Sequence, residues 1–133
     1  MFKRKAIAFL LTVLLAIPII GFCFMLIESS SMRDVPGLII FASMFVTPVI
    51  LLYGVPVSIL SDKISDRFIG MKRVLFALFI HVFFGISFPY FFILIADSRS
   101  ILTHYNGGDL YVTAASALAA FLFWGMDETL RRR

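Results

Sequence analysis

An all-α integral membrane protein, a four-helix transmembrane bundle with both termini cytoplasmic, is the fold this sequence predicts. Three observations predict it: a composition too apolar for water, four long uncharged runs, and an uneven division of Lys and Arg among the segments between them. Of 133 residues, 61% are hydrophobic and 15% charged, against roughly 45–50% and 25% in soluble domains. Sixteen Phe are more than a soluble core of this size can enclose. The length allows one domain, residues 1–133.

The uncharged runs cover residues 6–27, 35–61, 74–96 and 110–126. Crossing a hydrocarbon core of about 30 Å takes about 20 apolar residues. The first three runs reach that length. The fourth is shorter, but Tyr111 and Trp124 near its ends suit the two interfaces. The second is long enough to tilt or break. Barrel strands would alternate in polarity, and these runs do not.

The first run begins like a signal peptide, with Lys3, Arg4 and Lys5. It then continues apolar through Phe22, Phe24, Met25 and Leu26 without a small-residue cleavage site, so it is expected to remain as a span. The second run carries Pro48, Gly54 and Pro56 and the third carries Gly85 and Pro89, where kinks are expected. In the fourth, Ala115, Ser116, Ala119 and Ala120 are small residues four apart. They predict close helix packing, within the bundle or between copies. Cys23 is the lone cysteine, which excludes an intrachain disulfide and reads as packing.

Orientation follows from the basic residues. Ten of the twelve Lys and Arg lie in the N-terminus, the loop after the second run and the C-terminal tail. Four spans put these three segments on one side, which the positive-inside rule makes cytoplasmic. The expected location is a plasma membrane of the bacterial inner-membrane type. Lys63, Arg67, Lys72 and Arg73 in the central loop are expected to set topology and to lie near lipid headgroups. Ile64, Phe68 and Met71 give that loop one apolar side.

No Asp, Glu, Lys or Arg falls inside an uncharged run, so the usual marker of an ion pathway is missing. Small multidrug transporters share the four-helix plan but depend on a glutamate in the first helix, and residues 6–27 have none. Quinone-linked thiol oxidoreductases need paired cysteines. Small fluoride channels show an early Gly-rich segment with an Arg and insert in both orientations, which this charge bias opposes.

The one ionisable side chain inside a run is His81, about 10 Å deep at 1.5 Å per residue. Ala77, Gly85 and Pro89 share its face, so it should point into the bundle. It is expected to be neutral and structural, in an interhelical polar contact with Tyr53 or Ser58 near Gly54. One histidine makes a poor metal site, and Asp97, His104 and Asp109 match no metal spacing. No catalytic residue, cofactor or metal is expected, and the protein is read as no enzyme. The expected partners are the lipid bilayer and other membrane proteins or a second copy. No nucleic acid is expected, because the cations sit in clusters between apolar runs. The expected function is that of a non-enzymatic accessory or regulatory protein binding other membrane proteins. The alternative is a small oligomeric transporter or channel with a path near His81 and the stripe of Ser43, Thr47 and Ser58.

Overall fold

The computed structural model describes residues 2–27, 35–96 and 107–131. They form helices and one turn, with no strand among the described residues. The helices are α1 (Phe2–Ile27), α2 (Val35–Val49), a π-helical turn (Ile50–Gly54), α3 (Val55–Ser65), α4 (Met71–Ala96) and α5 (Gly107–Arg131). With α2, the π turn and α3 taken as one rod, four helices are long and apolar enough to cross a membrane.

The sequence explains the interruption in that rod. Pro56 has no N–H, and its ring collides with a carbonyl four residues earlier. The turn before it widens, so that Val55 N–H bonds the carbonyl of Ile50, five residues back. Pro48 and Pro89 lie inside α2 and α4 without ending them.

The π turn is also where the second span changes partner. α2 packs on α1, and α3 packs on α4. α5 lies between α1 and α4 and closes the bundle. The α1 face toward this core is Lys5, Ala8, Thr12, Ala16 and Ile20, all buried and three or four residues apart. That spacing is one helix face. Thr12 satisfies its hydroxyl on the carbonyl of Ala8 at 2.7 Å. On α5 the buried contacts are Ala119 and Phe123.

The closest approach is between α4 and α5. A Cβ on Gly85 would lie 2.6 Å from Ala120 Cβ and 3.0 Å from the Ser116 carbonyl. Only the absence of a side chain at Gly85 lets the two backbones come this near. Ser116 and Ala120 therefore pack against Gly85 of α4, while Ala119 and Ala115 belong to the core cluster with α1 and the π turn. Cys23 is exposed on the outer side of α1 and does not pack in the core.

All four helices run past the uncharged segments that predict them. α1 starts at Phe2, α3 continues to Ser65, α4 starts at Met71 and α5 continues to Arg131. Each extension adds charged residues at the same end of the bundle, and Arg4, Lys5, Asp62, Arg73, Asp127, Glu128 and Arg131 pair there. Arg4 near the start of α1 meets Asp127 near the end of α5, so both terminal helices finish at this basic end.

Candidate functional site

Two polar features stand out, a network of charges at the basic end and a cavity deeper in the bundle. The network is built on Lys5, which is 2% exposed. Its ammonium lies 2.6 Å from Asp127 Oδ2 and 2.8 Å from Asp62 Oδ2, and it donates to the carbonyl of Ser58 at 3.3 Å. It also donates to the hydroxyl of Ser58, which in turn donates to Asp127 Oδ2 at 3.2 Å. Arg4 bridges the same two carboxylates through Asp127 Oδ1 at 2.9 Å and Asp62 Oδ2. Arg131 bridges Asp62 at 2.9 Å and Asp66 at 2.7 Å. Arg73 makes two 2.6 Å bonds to the carboxylate of Glu128.

Four cations thus face four carboxylates, and α1, α3, α4 and α5 each contribute. A buried charge is tolerable only when paired and hydrogen-bonded. Here Lys5, Asp62 and Asp127 each take their partners from two other helices. Lys5, Asp62 and Asp127 each lie one residue outside an uncharged run, and the helices extend to include them.

The cavity, about 30 Å³, is lined by Val49, Ile50, Tyr53, Gly54, Val57 and His81, with Phe84, Gly85 and Phe123 among the rest. It lies between the π turn, α4 and α5, and has room for about two waters. Its wall is nearly all apolar. His81, 3% exposed, bonds through Nδ1 to the carbonyl of Ala77 on its own helix at 2.8 Å. Its Nε2 is buried and has no partner. The ring stacks on Phe123 with centroids 6.2 Å apart.

The three residues expected to share one interhelical contact therefore take separate partners. The Tyr53 hydroxyl donates to the carbonyl of Phe84 on α4 at 3.0 Å, and its ring lies between Phe84 and Phe88. Ser58 belongs to the charge network. His81 shares the cavity with Tyr53 but bonds only along α4. Ser43 also turns back on its own helix, to the Ile40 carbonyl at 2.7 Å.

Of the four loop cations, Lys63, Arg67 and Lys72 are exposed, while Arg73 is turned inward to Glu128. Asp97 and His104 lie outside the described residues. Among the described residues no group of three His, Cys, Asp or Glu is placed to hold a metal ion. Compared with known protein families, curated proteins and solved structures, the chain matches none.

The network is what sequence reasoning missed. The available signal was the acidic residues. Asp62, Asp66, Asp127 and Glu128 lie in or beside the three basic segments. The positive-inside rule counts only Lys and Arg, so a reading made for topology passes over them.

Proposed function

We propose that this protein is a multi-pass protein of a bacterial-type plasma membrane, both termini cytoplasmic, acting as a non-enzymatic accessory or regulatory partner of other membrane proteins. The basic residues gathered at one end of the bundle support the orientation. The observation that carries the binding role is the position of α2. Along Val35–Val49 the main packing of this helix, apart from the π turn that follows it, is on α1. Its outward side carries Gly37, whose Cα faces open space, with Ile40 and Met44 exposed beside it. A small residue on an uncovered face lets another helix backbone approach closely. Of the stripe Ser43, Thr47 and Ser58, two hydroxyls are engaged, Ser43 on its own helix and Ser58 in the charge network.

Affinity capture in mild detergent tests this reading. A partner membrane protein should co-purify with the native chain and be lost with Gly37→Leu, while the bundle stays folded. Recovery of no membrane protein, or equal recovery with the variant, would count against it.

A second reading, a small transporter or channel, is favoured by one observation: the unpartnered Nε2 of His81 at a cavity beside a π-helical turn. π turns are frequent at functional sites. Solute flux into proteoliposomes, abolished by His81→Leu, would select this reading over the first.

A further inference from the structure

The charge network accounts for Arg4, Lys5, Arg73 and Arg131. Among the described residues, the cations left over at this end are Lys3, Lys63, Arg67 and Lys72. All four are exposed, and none makes an ion pair among the described residues. Three of them cluster around the turn that joins α3 to α4: Lys63 in the last turn of α3, Arg67 in the turn itself and Lys72 in the first turn of α4. The carboxylates of the same segment are neutralised from the bundle side, Asp62 by Arg4, Lys5 and Arg131, and Asp66 by Arg131. Around this turn three exposed cations therefore face outward against one exposed carboxylate, Asp66, which is paired with Arg131.

It also presents apolar side chains. Ile69 is 92% exposed and Met71 69%, with Ile64 and Phe68 exposed to a lesser degree. The turn has a defined shape. Phe68 N–H bonds the Ser65 carbonyl at 2.9 Å, the Phe68 ring rests on Phe76 with centroids 4.8 Å apart, and Gly70 reverses the chain at φ +64°. A positive φ is what glycine adopts without strain.

We propose that this turn is a binding surface for anionic phospholipid headgroups of the leaflet it borders. Lys63, Arg67 and Lys72 take the phosphates, and Ile69 and Met71 enter the boundary between headgroups and acyl chains. The mixture of residues decides the partner. A soluble anion or a nucleic acid would satisfy the cations and leave Ile69 and Met71 in water. A membrane interface takes both kinds of side chain at once. The position agrees, since the turn joins two helices that reach the membrane surface here. Arg73 follows Lys72 directly but is excluded, because Glu128 holds both of its bonds.

The test is lipid selectivity in nanodiscs of phosphatidylcholine containing a small fraction of spin-labelled phosphatidylglycerol or phosphatidylcholine. One Lys or Arg beside an anionic surface is worth about fivefold in partitioning. The native chain should hold phosphatidylglycerol at least about fivefold more strongly than phosphatidylcholine. That preference should weaken as salt rises and vanish in K63Q/R67Q/K72Q. Millimolar inorganic phosphate should not displace the lipid. Should the triple variant not fold, K72Q alone decides, with a preference reduced severalfold. Equal binding of the two lipids by the native chain overturns the proposal. So does a variant that keeps the preference, or displacement by free phosphate, which would assign the site to a soluble anion.

Discussion

The basic end and the middle of the bundle solve the same problem by different means. At the basic end, Lys5, Asp62 and Asp127 are joined across helices by charge pairs. At the level of His81, about 12 Å further along α4 from Arg73 at 1.5 Å per residue, the helices are joined by close packing at Gly85, and one ring nitrogen has no partner. The difference fits the proposed placement in a membrane. Near the headgroups, water and phosphate reduce the penalty for an imperfectly buried charge. At mid-depth an uncompensated charge is far more costly, so small residues and neutral side chains take over. The comparison yields an ordering: loss of one charge in the network should damage the protein more than any single change around the cavity.

The largest effect is expected from Asp127→Ala. It removes the carboxylate shared by Arg4, Lys5 and Ser58, leaving Lys5 buried with Asp62 as its remaining ionic partner. Breaking a buried pair from one side costs about 3–5 kcal/mol. Asp66→Ala is the control, because its exposed pair with Arg131 is worth about 0–1 kcal/mol. Unfolding in mixed detergent and SDS, followed by circular dichroism, separates the two. Equal losses would mean that the network is no more than surface pairing.

The next effect is expected at the tight crossing of α4 and α5. Gly85→Ala places a Cβ against Ala120 and the Ser116 carbonyl, so the helices must separate. Overpacking of this kind costs about 1–3 kcal/mol. Adding Ala120→Gly removes one of the two obstructing atoms and should recover part of the loss in the same unfolding assay. If Gly85→Ala is silent, the two helices have slack at this crossing.

How much of this was readable beforehand differs between the two regions for a physical reason. Four uncharged runs, the weak points at Pro56 and Gly54, and the packable face of Ala77, His81 and Gly85 are all local patterns of period or composition. They survive in a single sequence. The partner of a given charge does not: Arg4 and Asp127 are 123 residues apart, and no periodicity links them. Helix ends were short for a related reason. A hydropathy pattern stops at the first charge, whereas a helix continues wherever its charges find partners. Arg73 shows the same limit. Its neighbours in sequence suggested a lipid contact, and only the fold brings Glu128 to it.

A smaller effect is expected from Tyr53→Phe, which removes the hydroxyl bond to the Phe84 carbonyl and leaves the ring between Phe84 and Phe88. Interhelical hydrogen bonds in membranes average about 0.6 kcal/mol. A loss near that value, with no change in helix content, is the expected result. A loss of several kcal/mol would mean that this bond fixes the π turn against α4.

The smallest effect is expected at His81, although it is the one histidine within its uncharged run. Its single hydrogen bond runs from Nδ1 to the carbonyl of Ala77. That bond lies within α4, so it ties no helix to another. Nε2 is buried without a partner in a residue that lines a nearly apolar cavity, and an unpaired buried polar atom is unfavourable. His81→Leu removes that liability and keeps apolar bulk against Phe123. It also ends the Ala77 contact, whose carbonyl already serves the helix. These terms oppose each other, and the net change should stay below the average of about 0.6 kcal/mol for an interhelical bond. His81→Gln keeps a polar end in the same apolar space and should be no better than Leu. The two variants compared in one SDS titration give the answer. If Leu costs more than about 1.7 kcal/mol, the upper value for such bonds, and Gln restores it, Nε2 has a partner in the membrane. The cavity would then be an occupied site, and the transport reading would gain over the binding one.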